Sequence, residues 1–80
     1  MEILAQTPRL LGKALKRYRQ LKKLNQKDVG KEFMLDQTTI SSIENGAAGT
    51  RIDTIFRLLA ALELEMVIRP KQSLDSIEGW

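Results

Sequence analysis

The segment from Leu24 to Gly46 constrains the fold of this chain more than any other part of its sequence. Asn25 is a residue type that caps the start of a helix, and Val29 and Phe33 then repeat at the spacing of one helix face. Gly30 lies on the packed side of that helix, where a glycine costs about 1 kcal/mol relative to alanine. Its use there predicts a second helix that crosses too closely for a larger side chain, after a tight turn.

A second helix is predicted to begin at Asp36, whose carboxylate can accept the free backbone N–H groups near Thr39. Ile40 and Ile43 should point inward, and Gly46 suits the left-handed residue that ends a helix. The outward face is then short, polar and almost uncharged. It consists of Gln37, Thr38, Ser41 and Ser42.

Amide and hydroxyl side chains of this kind suit hydrogen bonding to base edges in a DNA groove. Gln37 can pair bidentately with adenine, and Thr38 can offer its methyl group to thymine and its hydroxyl to a base edge. A helix that only faces solvent would normally carry Lys and Glu instead. The pattern therefore favours a DNA-reading surface, with a merely solvated face in an all-α domain as the alternative.

Positive charge is concentrated in the half of the chain that precedes this second helix. The net charge is +3, but residues 1–35 hold nine Lys and Arg against three acidic residues, whereas residues 36–80 hold four against seven. Such a half attracts a polyanion, although basic helices are also common as plain soluble surfaces. The cations in question are Arg9, Lys13, Lys16, Arg17, Arg19, Lys22, Lys23, Lys27 and Lys31.

The composition argues against catalysis. The chain has no His and no Cys, so Ser41 and Ser42 have no imidazole base to activate them. We also find no metal-ligand cluster and no phosphate-cradling glycine loop, and we expect neither a cofactor nor a metal. With no bilayer-length apolar run and no signal-peptide pattern, we expect a cytoplasmic protein that does not contact membranes.

The N-terminal part is predicted to be an arm of residues 1–6 followed by a helix. Thr7 is a capping residue, and Pro8 suits the first helical position because its missing N–H is harmless there. That helix should run to about Lys23. We therefore predict a single small all-α domain of four helices over residues 7–63.

The last of the four helices is predicted to start at a capping pair formed by Thr50 and Asp53 and to run through Leu62. Its apolar residues are almost too numerous for a single packed face, which predicts an additional contact with another subunit. These residues are Ile52, Ile55, Phe56, Leu58, Leu59 and Leu62.

Beyond the last helix, residues 64–70 have the alternating pattern of a β-strand that Pro70 ends. A lone strand leaves its backbone groups unpaired, so we expect it to pair with the same strand of a twin subunit. The alternative is that it folds back on Ile3–Ala5 within one chain. The predicted dimerisation residues are Leu64, Met66, Val67 and Ile68.

The chain resembles the Cro/phage-repressor superfamily, the xenobiotic-response-element type of helix-turn-helix with a lambda-repressor-like fold. The resemblance covers most of residues 11–62 and rests on Gln26, Val29, Gly30, Ile40, Ser41, Ile43, Glu44, Asn45 and Gly46. It implies that Gln26 and Asn45 bind DNA phosphates, in addition to Lys16 and Lys27 from the basic half. It further implies base contacts from the outward face of the second helix, and a largely buried ion pair between Arg19 and Glu44.

The segment LELEMVIRPK departs from the many relatives that have a further helix there, and it resembles the HipB group of antitoxins. Members of that group dimerise through intermolecular strands and bind HipA-type serine/threonine kinase toxins. The resemblance implies a bacterial, nucleoid-associated homodimer that binds a palindromic operator and represses its own type II toxin–antitoxin operon. A stand-alone repressor without a toxin partner is the alternative.

Residues 71–80 are predicted to be a flexible tail. Antitoxins of the HipB group tend to end in such a tail and use it to engage the toxin. An aromatic terminus suits insertion into a partner's pocket, although a tail that lies on its own domain is the alternative. The residues predicted to bind the toxin are Leu74, Ile77 and Trp80.

Overall fold

The structure, a computed structural model, describes residues 2–71 and is built from four α-helices. They are α1 (Pro8–Leu21), α2 (Gln26–Phe33), α3 (Gln37–Glu44) and α4 (Ile52–Ala61). The predicted all-α domain of four helices is therefore confirmed. None of the described helices is long and apolar enough to cross a bilayer.

The start of α1 is the one that the sequence predicts. The backbone N–H of Leu10 donates to Thr7 Oγ1 at 3.1 Å, and Pro8 occupies the first helical position. The helix ends at Leu21, two residues before the predicted end, because Lys23 has a left-handed backbone with φ of 58°. A residue in that conformation cannot continue a right-handed helix.

The predicted N-terminal cap of α2 is confirmed, whereas that of α3 is not. Asn25 caps α2, since its Oδ1 accepts the backbone N–H of Asp28 at 2.8 Å. Asp36 occupies the N-cap position of α3, but its side chain makes no capping hydrogen bond, so that part of the prediction is wrong. Asp36 is exposed, and water can solvate its carboxylate in place of the backbone.

The predicted capping pair of α4 is also wrong. The N-cap position is held by Arg51, which makes no side-chain capping bond, and Thr50 Oγ1 lies 3.5 Å from the carbonyl oxygen of Ala47. Asp53 instead accepts from Arg51 Nε at 3.0 Å, and this hydrogen bond lowers the pKa of the Asp53 carboxyl. The Asp53 carboxylate, which the sequence predicts to cap the helix, thus binds the neighbouring Arg51 instead.

One hydrophobic core lies among the four helices, with Leu15, Ile40, Leu58 and Leu62 fully buried at its centre. Five further apolar residues are buried around them: Val29, Leu35, Ile43, Ile55 and Leu59. The rim consists of partly buried residues from α1, α2 and α4, from the α1–α2 turn and from the segment after α4, namely Leu11, Leu24, Phe33, Ala61 and Leu64. The core thereby fixes α3 against the other helices and leaves its outward face free.

Two glycines set the helix crossings. A Cβ atom on Gly30 would press into the carbonyl oxygen of Leu35 and lie 3.1 Å from Ile40 Cδ1, as the predicted close crossing requires. Gly12 on α1 is equally tight, because a Cβ there would press into the carbonyl oxygen of Ile43 and lie 2.9 Å from that of Glu44. The role of Gly12 is a finding that the sequence pattern did not flag.

After α4, residues 64–71 have no regular secondary structure, and two surface ion pairs connect this part of the chain to the end of α1 and to the N-terminal arm. Lys22 Nζ lies 2.7 Å from Glu63 Oε1, and Arg69 Nη1 lies 3.4 Å from Glu2 Oε1. Within residues 2–71 no strand is formed, so segment 64–70 does not pair with Ile3–Ala5 in this chain. The fold-back alternative is therefore not observed, although the Arg69 contact brings the arm and this segment close together.

Candidate nucleic-acid interface

A shallow polar concavity lies along α3. Its lining contains all four residues that the sequence predicts to face DNA bases and two of the predicted phosphate-binding residues. The lining residues are Gln26, Gln37, Thr38, Ser41, Ser42, Asn45 and Ala47. We refer to this surface as the polar concavity.

The polar concavity exists because α3 buries only one side. Ile40 and Ile43 are 0% and 3% exposed and anchor the helix to the core, while Gln37 and Ser42 are exposed and Ser41 is half-buried. With its apolar residues buried, α3 holds these polar side chains on one fixed helix face. Binding therefore has to order the side chains but not the backbone that carries them.

The bend between α2 and α3 is set by Met34. This residue ends α2 with a left-handed backbone, φ 56° and ψ 44°, and its backbone N–H donates to the carbonyl of Gly30. Glycine is the usual residue in that conformation, so nothing in the sequence marked Met34 as the turn. Its side chain is 87% exposed.

At its C-terminal end α3 couples two residues for which the sequence predicts different roles. Asn45 Nδ2 donates to Ser41 Oγ at 3.4 Å. Ala47 also lines the polar concavity, and its backbone N–H donates to the carbonyl of Ser42 at 3.0 Å. Sequence reasoning missed Ala47 because an alanine after a helix end has no side-chain chemistry to mark it.

A buried ion pair joins α1 to α3, as the family resemblance implies. Arg19 Nε lies 2.7 Å from Glu44 Oε2, and Nη2 donates to Oε1 at 3.0 Å, a bidentate arrangement. Arg19 Nη1 also donates to the carbonyl of Leu24 at 2.7 Å. The two side chains are 11% and 2% exposed, and the hydrogen bond to Glu44 raises the pKa of Arg19. Removal of one partner from such a pair typically costs about 3–5 kcal/mol.

Gln26, predicted to bind phosphate, is connected to this ion pair. Its Nε2 donates to Glu44 Oε1 at 3.1 Å, and the side chain is half-buried at the edge of the polar concavity. One N–H of the amide is therefore already used inside the protein.

The predicted phosphate-binding lysines lie outside the polar concavity. Lys16 on α1 and Lys27 on α2 are exposed, and neither lines it. Exposed ammonium groups on flexible stems suit contacts with the backbone of a duplex that extends past the concavity. Within residues 2–71 no cluster of His, Cys, Asp or Glu could hold a metal ion.

Three of the four predicted dimerisation residues form an exposed apolar series. Met66, Val67 and Ile68 are 43%, 71% and 91% exposed, whereas Leu64 packs against the core. On α4, Ile52 and Phe56 are also 62% and 50% exposed. The residues predicted to bind a toxin, Leu74, Ile77 and Trp80, lie outside the described residues.

Comparisons with known proteins agree with this geometry. Residues 15–68 match the family model described as helix-turn-helix. Antitoxin HipB of Escherichia coli (strain K12) is 36% identical over 62 residues, a match that covers 78% of this chain and 70% of the relative.

Two solved structures resemble this chain at similar sequence identity. "HipB-O4 20mer complex" has a TM-score of 0.78 and 33% identity, over 82% of this chain and 93% of that one. "Structure of HipA-HipB-O2-O3 complex" has a TM-score of 0.77 and 32% identity, over 91% of this chain and 99% of that one.

Proposed function

This chain belongs to the helix-turn-helix family, as a relative of the HipB antitoxins, and on that premise we propose that it is an antitoxin that binds DNA sequence-specifically. It represses its own type II toxin–antitoxin operon and binds a HipA-like serine/threonine kinase toxin. The observation that carries the proposal is the polar concavity on α3, set on a fold that is shared with a HipB–operator complex.

In the proposed complex, α3 lies in the major groove of operator DNA. Gln37, Thr38, Ser41 and Ser42 contact base edges, since their short amide and hydroxyl groups match the donor and acceptor pattern there. Gln26, Lys27, Asn45 and Lys16 contact phosphates and supply affinity that does not depend on sequence. We propose no catalytic activity, since the chain has neither an imidazole nor a thiol to act with Ser41 or Ser42.

The DNA-bound form is proposed to be a homodimer. Segment 64–70 has an exposed apolar series, which a second copy of the same strand would cover. Exposed Ile52 and Phe56 on α4 support an additional subunit contact. A two-fold dimer places two α3 helices ~34 Å apart along the duplex, which matches a palindromic operator.

The toxin partner is proposed from the relative whose complex contains HipA, HipB and operator DNA together. A protein that binds both partners at once needs a toxin contact away from the polar concavity. Leu74, Ile77 and Trp80 in tail 71–80 are the proposed contact, because an aromatic side chain such as that of Trp80 is typical of binding hot spots.

The DNA part of the proposal is tested by selection from a pool of genomic duplexes with the purified full chain. We expect enrichment of one palindromic motif, with nearby copies upstream of the protein's own gene. Recovery of random duplexes, or of none, would contradict sequence-specific repression.

The toxin part is tested by a search for a HipA-like kinase gene beside this one and by co-expression with its product. We expect the full chain to capture the kinase, and a chain that ends at Lys71 to lose capture while it retains operator affinity. Undiminished capture by the shortened chain would remove the tail from the interface. If the full chain captures no kinase, the antitoxin function is wrong and a stand-alone repressor remains.

A further inference from the structure

The carboxylate of Glu44 accepts hydrogen bonds from two directions. From α1 it receives Arg19 Nε at 2.7 Å on Oε2 and Arg19 Nη2 at 3.0 Å on Oε1. From α2 it receives Gln26 Nε2 at 3.1 Å on Oε1. A side chain that is 2% exposed thus links the first helix to a residue that lines the polar concavity.

The carboxylate fixes which way the Gln26 amide faces. The amide nitrogen must point at Glu44, because the amide oxygen would be repelled by a carboxylate oxygen, and both are acceptors. The second N–H of Gln26 and its Oε1 are then left for the polar concavity. A free glutamine loses several rotamers when it binds, so an amide that is oriented in advance binds with a smaller entropy loss.

The role of Arg19 in this arrangement is to neutralise the charge. An unpaired carboxylate behind Gln26 would repel the phosphates of a nearby duplex. The bidentate guanidinium cancels that charge and leaves an oriented neutral donor at the surface.

We infer that Glu44 is a positioning residue for DNA binding, which holds the Gln26 amide in its DNA-contacting orientation while Arg19 neutralises its charge. The inference rests on the proposed function, since it assigns a mechanism to the same DNA-facing surface. It gives the ion pair a second role beyond the attachment of α1 to α3.

The test is a double-mutant cycle on operator affinity. One variant is Gln26→Ala. The other replaces the ion pair in a single step, Arg19→Met with Glu44→Leu, so that no uncompensated charge stays buried and the fold is kept. Gln26→Ala is expected to weaken operator binding roughly 10- to 100-fold, the value of one hydrogen bond to a charged phosphate, and the ion-pair variant, which only releases the amide, by no more than that. The combined variant is expected to bind operator about as tightly as Gln26→Ala alone, because the ion pair then has no Gln26 amide to orient.

Lys27→Ala is the matched control. Lys27 is the exposed neighbour of Gln26 in the chain. The fold-loss in operator affinity from Lys27→Ala should multiply with the fold-loss from the ion-pair variant, because the two changes act independently. A purely structural role for the ion pair predicts that Gln26→Ala multiplies in the same way. That result, or full operator affinity in the ion-pair variant, would overturn the inference.

A second measurement needs no variant and no DNA. In the NMR spectrum of the free protein, one side-chain amide proton of Gln26 should exchange slowly and be shifted downfield relative to those of Gln20, an exposed glutamine on α1. Identical behaviour of the two amides would overturn the inference even if the ion-pair variant does not fold. A wild-type protein that binds no duplex would instead remove the proposed function, and this inference with it.

Discussion

Single side chains of the polar concavity are expected to differ in whether they identify a base or only hold the duplex. Gln37 is exposed at the first position of α3, where its amide can pair with an adenine edge. We expect Gln37→Ala to lower the preference for operator over random duplex by ~1–3 kcal/mol. Competition binding at fixed salt concentration measures this preference.

Lys27→Ala is the companion variant for that measurement. Because an ammonium group contacts phosphates, we expect it to weaken binding to all duplexes equally and to flatten the dependence of affinity on salt. Uniform weakening by Gln37→Ala, or an unaltered salt slope for Lys27→Ala, would contradict the assigned roles.

At Met34 the left-handed backbone conformation is expected to lower the stability of the protein. The left-handed conformation costs a residue with a Cβ atom roughly 1–2 kcal/mol, and glycine avoids this cost. Glycine also gives the unfolded chain more conformational entropy, which lowers stability by about 0.5–1 kcal/mol and offsets part of the gain. Met34 has φ of 56° and contributes little packing at 87% exposure. We therefore expect Met34→Gly to raise the free energy of unfolding by about 0.5–1 kcal/mol.

Chemical denaturation measures that gain. Met34→Ala keeps the Cβ atom and should change the free energy of unfolding by less than ~0.5 kcal/mol. An equal gain from alanine would show that loss of the exposed methionine, rather than relief of the backbone, is responsible.

At the scale of elements, the crossing of α1 and α3 is expected to depend on Gly12. A Cβ at this position would meet the carbonyl oxygens of Ile43 and Glu44, which belong to the helix that carries the polar concavity. We expect Gly12→Ala to lower the free energy of unfolding by about 1–3 kcal/mol, despite the better helix propensity of alanine. Thermal or chemical unfolding measures the loss.

Gly49→Ala is the control for this substitution. Nothing lies within 4 Å of a Cβ built on Gly49, so the same chemical change should alter the free energy of unfolding by less than ~1 kcal/mol. If the two alanines behave alike, the crossing tolerates a methyl group and the close approach is not essential.

At the scale of the whole molecule, the proposed dimer predicts a separation of assembly from folding. Ile68 is 91% exposed in the single chain, so Ile68→Asp should leave the stability of the monomer within ~0.5 kcal/mol. In a dimer the same charge would be buried without a partner, so we expect a strong shift towards monomer and a loss of operator affinity. Sedimentation equilibrium over a range of concentrations measures the shift.

Met34→Asp provides the matched control, since Met34 is equally exposed and apolar but lies outside the proposed dimer contact. It should leave the monomer–dimer equilibrium unchanged. A wild-type chain that sediments as a monomer at all working concentrations would contradict the dimer.

The local pattern determined the helices and the side of α3 that faces outward. Thr7, Pro8 and Asn25 act through groups one turn away, and Ile40 and Ile43 recur at the helical spacing, so neighbours in sequence carry enough information. The same logic predicts capping roles for Asp36 and Asp53, which they do not have. Solvent competes with the backbone for Asp36 and the Arg51 cation competes for Asp53, and residue types alone do not decide that competition.

Only the tertiary structure decided which residues that are distant in the chain contact one another. The closeness of Gly12 to the end of α3 and the hydrogen bond from Gln26 to Glu44 join different helices, and no sequence spacing encodes them. The turn at Met34 is of the same kind, because packing on both sides imposes a backbone that its side chain disfavours. Periodicity thus determined which residues face the core, while the packing of helices against one another determined which polar groups meet.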